Sequence, residues 1–200
     1  GFQEGVDRES FSKAIDDSKT DKDAMERLMR YRVPEKKEVF LVPAKTVHAI
    51  GAGCLILEIQ EPTDFTIQPE HWCGDYELND MEMYQGVSKE DAIECFDFAP
   101  APDTKMIPRL LAAENGALYE NLIGEQDTDC FVINRIRLSG GEHVMKLSDT
   151  YGVYIVTEGE GAVTGAGYER RVKKGDYFFM PWKLMGQYKM TGNMECVECY

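Results

Sequence analysis

The sequence predicts a mainly β fold of two jelly-roll-type units, with helical segments near the amino terminus and between the units. Three observations carry this. Past residue 130, short apolar runs alternate with glycine turns at the spacing of a sandwich or jelly roll: 131–138, 153–157, a turn at Gly159 and Gly161, then 168–172 and 177–180. The pattern around one of these strands occurs earlier in the chain, 138 residues upstream. Helical spacing is confined to residues 7–30 and 79–95.

In chain order, Phe11, Ala14 and Ile15 recur at helical spacing behind Asp7, and a second start near Asp21 leads into Ala24, Leu28 and Met29. Pro34 ends that region. From Glu38 the period is that of a strand, with Val39-Phe40-Leu41-Val42 running into Pro43. Cys54–Gln60 follows the turn Gly51-Ala52-Gly53 as a second strand, so a hairpin is expected here. Met81, Tyr84, Ala92, Ile93 and Cys95 place helix within 79–95, and Ala99-Pro100-Ala101-Pro102 reads as a linker. The expected domains are 1–98, helices plus part of a first β unit left open as complete or incomplete, and 99–200, linker plus second β unit.

Composition narrows the function classes. Two hundred residues, 43% of them hydrophobic, suffice for a buried core. A formal net charge of −14 with no basic cluster argues against nucleic acid and anionic membranes as partners, since both repel such a surface. No apolar run approaches the ~18 residues of a membrane span. Six cysteines dispersed through a chain too large to need staples suit reduced thiols, and a cytoplasmic location is expected. Cys196 and Cys199 have metal-pair spacing, yet no second pair lies nearby, so packing is the better account.

The repeat sets expectations for chemistry. Placing Pro43 on Pro181 pairs Lys36 with Lys174, Glu38 with Asp176, Phe40 with Phe178 and Leu41 with Phe179. The same offset puts Gly186 opposite His48, so the second unit is expected to be metal-free. His143 stands alone beside Gly140-Gly141 and is expected to be solvated. If the turn at 51–53 closes a hairpin with residue 50 facing residue 54, then His48, Ile56, Glu58 and Gln60 share one face and Leu55, Leu57 and Ile59 the other. A buried face bearing His, Glu and Gln calls for a metal or a polar ligand to satisfy it.

Pro43-Ala44, Thr46 and His48-Ala49-Ile50-Gly51, then Gly53, Leu55 to Gln60 and Asp64, form an ungapped stretch that resembles the type I phosphomannose isomerases of the cupin superfamily. The run Lys173-Lys174-Gly175-Asp176-Tyr177-Phe178-Phe179-Met180-Pro181 resembles their carboxyl-terminal jelly roll, and the early helices resemble the helical insertion of the bacterial members. The resemblance implies two cupin-like units, zinc as cofactor and a sugar phosphate substrate, interconverting mannose 6-phosphate and fructose 6-phosphate through an enediol. His48 takes the zinc-ligand position, Glu58 an acidic position near the substrate, and Gln68 the place where the family has Arg. Lys45 stands where the family usually has Gly. The family's other ligands come from upstream of this motif, and no other His occurs in the 47 residues before His48, so the chain looks like the part downstream of the first metal ligands. The alternative is a non-catalytic cupin-type carbohydrate-binding protein, motivated by Gln68. Exposed sheet edges in an incomplete first unit would also allow oligomerisation.

Overall fold

The computed structural model describes residues 1–61, 65–99, 103–146 and 149–200, and the chain divides into two units, Gly1–Thr104 and Lys105–Tyr200. The expected linker includes Pro100, Ala101 and Pro102, which lie outside the described residues, as does Asp64 of the motif.

The first unit is built on helices. Helix α1, Arg8–Asp17, starts where the Asp7 side chain accepts a hydrogen bond from the Ser10 backbone N–H and the Ser10 hydroxyl accepts one from the Asp7 backbone N–H, a capping box. Its buried face carries Phe11, Ala14 and Ile15. Phe11 meets Phe2, Phe96 and Phe98 with ring centroids 4.9, 5.0 and 5.6 Å away, largely edge-on. Residues 26–28 make one 3-10 turn, and strand β1 covers only Val39–Phe40. Strands β2, Trp72–Cys73, and β3, Tyr76–Glu77, form a short hairpin. The helical segment expected at 79–95 is two helices, α2 at Asp80–Tyr84 and α3 at Lys89–Ile93, capped by Asn79 and Ser88. They are separated because Gln85 and Gly86 both take positive φ, 51° and 90°, which ends α2 in a left-handed cap.

The expected hairpin over 39–60 is not formed. Cys54–Gln60 carries no strand, and Leu55, Ile56 and Leu57 are 97%, 47% and 44% exposed. The repeat supplies the physical reason. In the second unit the positions 138 residues on lie in the central strand, which has a hydrogen-bonded neighbour on each side. In the first unit the residues aligned with one of those neighbours form the end of α1 and the turns after it. A two-stranded ribbon without a third strand or helix to cover its apolar face is marginal.

Elsewhere the repeat holds at the level of single hydrogen bonds. The Glu38 N–H donates to Glu35 O (3.3 Å) and the Glu35 N–H to Glu38 Oε2 (2.9 Å); at the aligned positions Asp176 donates to Lys173 O (2.9 Å) and Lys173 to Asp176 Oδ2 (2.9 Å). Lys37 and Gly175 share positive φ, 68° and 91°. After each strand the proline carbonyl closes a turn, Pro43 O accepting from Thr46 (3.2 Å) and Pro181 O from Leu184 (3.0 Å).

The second unit contains the greater part of the mainly β fold. Its strands are β4 (Lys105–Met106), β5 (Arg109–Glu114), β6 (Ala117–Ile123), β7 (Ile133–Val144), β8 (Gly152–Gly165), β9 (Tyr168–Lys173), β10 (Tyr177–Met180) and β11 (Lys189–Cys199). Seven form one antiparallel sheet in the order β10-β8-β11-β7-β6-β5, with β9 paired to the far half of β8. Gly159 and Gly161, expected to form a turn, instead lie inside β8 where it crosses β11. A Cβ on Gly161 would sit 2.1 Å from the Thr191 carbonyl oxygen, and Gly161 faces Gly192 in register. The glycines permit close backbone approach rather than chain reversal.

Inward residues of β7, β8 and β11, among them Ile136, Leu138, Tyr154, Val156, Met190, Met194 and Cys196, form the core. A polar row crosses it. Arg109, Asn121, Asn134, Glu198 and Tyr154 lie directly opposite one another on β5, β6, β7, β11 and β8. The Arg109 guanidinium donates to Asn121 Oδ1 (2.6 Å), Asn121 Nδ2 to Asn134 Oδ1 (2.9 Å), and Asn134 Nδ2 to Glu198 Oε2 (2.9 Å). Tyr154 donates to Glu198 Oε1 and Tyr119 to Oε2, each at 2.6 Å. Glu198 is 0% exposed, and its lone pairs are satisfied by donors that also fix strand register.

Candidate functional site

The segment from Pro43 to Gln68 contains every site residue the sequence singled out, and most of its described residues are exposed. His48, Glu58 and Gln68 are all exposed. His48 is held locally: its Nδ1 lies 2.8 Å from the Thr46 carbonyl oxygen, so Nδ1 carries the proton and donates, leaving Nε2 as the bare acceptor. That tautomer and outward presentation suit a metal-ligating imidazole. Lys45, just before it, has φ of 68°, which explains on steric grounds why glycine suits this position; its carbonyl accepts from the Asp97 N–H (3.0 Å). Gln68 is anchored by its backbone, donating to Met83 O (2.9 Å), while its side chain is free to reach outward.

The structure does not join these three residues into one hydrogen-bonded set. The face expected to hold His48, Ile56, Glu58 and Gln60 depends on pairing of 46–50 with 54–58, and that ladder is absent among the described residues. Catalytic zinc takes about three protein ligands. No group of three or more His, Cys, Asp or Glu side chains fit to hold a metal occurs among the described residues. His48 alone does not make up a zinc site, and no chemical step is assigned to zinc from this donor set.

In the second unit, Gly186, aligned with His48, has φ of 80° and no side chain to offer. His143 is not solvated as expected: it is partly buried with its ring 4.8 Å from that of Tyr119, and burial pushes its pKa below the usual imidazole value. Cys196 and Cys199 are free, buried thiols in β11 whose pKa values burial raises to about 12, which leaves them protonated and inert. Burial, with the Glu198 charge second, also pushes the Tyr119 and Tyr154 hydroxyls upward.

Two groups were not foreseen from the sequence. Glu198 had no signal, because Cys-x-x-Cys spacing drew attention to its neighbours. His71, within Glu70-His71-Trp72-Cys73-Gly74, lies outside any periodic element and is the most buried of the three histidines, at 7% exposure. No helix of the described residues is long and apolar enough to cross a membrane.

No family model matches the chain. Mannose-6-phosphate isomerase ManA of Bacillus subtilis is 30% identical over 175 residues, 86% of this chain and 51% of that protein. The mannose-6-phosphate isomerase of Streptococcus mutans is 25% identical over 172 residues, 84% of this chain and 50% of that protein. The crystal structure of the Bacillus subtilis mannose 6-phosphate isomerase matches with a TM-score of 0.48 at 17% identity, over 62% of this chain and 38% of that one, too low a score to bear on function. The chain spans about half the length of the curated relatives it matches. Over that shared half the chain is similar in sequence to proteins named mannose-6-phosphate isomerase.

Proposed function

We propose that this polypeptide is part of a mannose-6-phosphate isomerase-like protein of the cytoplasm that interconverts mannose 6-phosphate and fructose 6-phosphate. The observation that carries the proposal is the 30% identity over 175 residues to an isomerase of that name. The ungapped Pro43–Gln60 motif, with His48 presenting a bare Nε2, supports it. In this reading His48 is one ligand of a zinc ion whose other ligands lie in the half of the relatives that this chain does not match. Zinc held by the complete ligand set would supply Lewis-acid chemistry. Glu58 contributes a carboxylate for proton transfer between C1 and C2. Gln68 offers a hydrogen bond where the family's Arg offers a charge, a difference worth ~100-fold to 1000-fold in rate if the position still serves the chemistry.

The test is a coupled isomerase assay with metal analysis on the longest natural form of the protein. Turnover with stoichiometric zinc, both abolished in His48→Ala, is expected; an intact protein with neither metal nor turnover would overturn the proposal. Gln68 favours a second reading, a cupin-type carbohydrate-binding protein without catalysis. Under that reading Gln68→Arg leaves turnover at background, whereas under the first it raises kcat.

A further inference from the structure

A half-open cavity of about 270 Å³ lies at the surface of the helical first unit, lined by Asp16, Lys19, His71, Asp80, Tyr84 and Lys89 among others. It is several times the ~30 Å³ that one water molecule occupies in the liquid. Two of its lining side chains are more than nine-tenths buried, His71 at 7% and Tyr84 at 5% exposure.

Both carry a polar atom without a partner among the described residues. The Ser18 hydroxyl donates to Ile15 O (2.7 Å) and therefore turns lone pairs toward the His71 backbone N–H (3.2 Å) and toward Nδ1 (2.7 Å). Nδ1 is thus the protonated nitrogen, and Nε2 is an acceptor with nothing to accept from. The Tyr84 hydroxyl likewise makes no hydrogen bond within the described residues. Neither atom is sealed in the protein interior, for among the described residues the only fully inaccessible side-chain polar atom without a partner is Arg137 Nε. Burial lowers the His71 pKa and raises that of Tyr84 to about 12, so the pair stays neutral, one acceptor and one donor, near pH 7.

The charges around this pair cancel. Lys89 is bound to Asp16 (2.8 Å) and to the Ser12 carbonyl (3.2 Å), which leaves Lys19 and Asp80 as one exposed cation and one exposed anion at the lining. An anion would meet Asp80 and Asp16, and a cation would meet Lys19. A hydroxyl group, which donates and accepts at once, matches the Nε2 acceptor and the tyrosine donor together.

We propose that this cavity binds a small uncharged polyol, one hydroxyl of which donates to His71 Nε2 and accepts from the Tyr84 hydroxyl, while Lys19 and Asp80 bond its neighbouring hydroxyls. The site lies apart from the His48 segment in sequence and does not depend on isomerase activity. A twelve-atom polyol at drug-like ligand efficiency binds with a Kd on the order of millimolar.

The test is an NMR titration of the full chain, following the His71 Nε2 and Tyr84 ring resonances, with D-sorbitol as probe and inorganic phosphate as comparison. Saturable shifts at both residues with sorbitol, a Kd raised at least tenfold in Tyr84→Phe, and no response to phosphate are expected. Tyr84→Phe removes one oxygen from a helix terminus, and its parent-like spectrum verifies folding. Linear shifts with no saturation, saturable binding unaffected by Tyr84→Phe, or saturation by phosphate alone would each overturn the proposal.

Discussion

Tyr154→Phe tests whether the buried acid of the second unit is held by its hydroxyl donors. The substitution deletes one oxygen and leaves the ring stacked on Phe178, at 5.2 Å between centroids. Glu198 Oε1 then loses the hydroxyl donor 2.6 Å away, inside a core where Glu198 is 0% exposed. A hydrogen bond to a charged group contributes about 1.5–3 kcal/mol, and stranding a buried charged acceptor costs at least as much. For a unit of this size, each kcal/mol moves the melting temperature by roughly 4–8 °C, so a fall of about 6–24 °C is expected. The assay can be confined to the right unit: the two tryptophans fall one in each, Trp72 and Trp182, so fluorescence-monitored unfolding in a Trp72→Phe background follows Trp182 alone. Tyr177→Phe, at a tyrosine 74% exposed, is the matched control and should move the transition by less than ~0.5 kcal/mol. If Tyr154→Phe is as silent as the control, Glu198 is not held as described. Tyr119→Phe, on the other carboxylate oxygen, should cost a similar amount, and a double mutant that departs from additivity would measure the coupling through the shared acid.

Three further outcomes are expected. Gly161→Ala places a Cβ 2.1 Å from the Thr191 carbonyl, and a loss of ~1–3 kcal/mol or more in urea unfolding should follow; unchanged stability would mean β8 and β11 are not so close. Because the folded pKa of His143 is depressed by burial, with Glu198 and Glu114 opposing, its contribution is complete above the unfolded value near 6.5 and is lost as pH falls toward the folded one. The urea midpoint of the Trp182 transition should thus drop between about pH 7 and pH 5 with a slope of up to ~1.4 kcal/mol per pH unit, and a His143→Phe protein that keeps that slope would refute the assignment. Leu55→Ser, at a position 97% exposed, should change chain stability by no more than ~0.5 kcal/mol, whereas a core leucine truncation costs several times that, so a large loss would mean that Leu55 is covered in solution.

The second unit was largely legible because its strands lie next to turn chemistry, and β9 and β10 lie where the glycines put them. Its first hairpin was missed although Asn115-Gly116 announces it: both residues have positive φ, 50° and 70°, as a type I′ turn demands. The Gly159/Gly161 pair misled because glycine marks close backbone approach as readily as reversal. Alternation within 54–60 predicts a strand that is not formed, because alternation says nothing about whether neighbours are present. The start of α1 behind Asp7 and its face of Phe11, Ala14 and Ile15 were local signals and held. Tertiary pairings such as Ser18 with His71, 53 residues apart, leave no periodic trace.

The row from Arg109 to Glu198 has a direction. Each member donates toward the acid, so a guanidinium 39% exposed, itself paired with Asp127, heads a file of two amide dipoles that ends on a buried anion roughly 14 Å away, three strand spacings across the sheet. Each amide is also held by further acceptors: Asn121 Nδ2 donates to the Ile123 and Ile133 carbonyls (3.0 and 3.4 Å), and Asn134 Nδ2 to the Tyr119 hydroxyl (2.8 Å). The core acid is thereby met by polarity handed from strand to strand, and the ion pair of Arg109 with Asp127 closes the file at the rim.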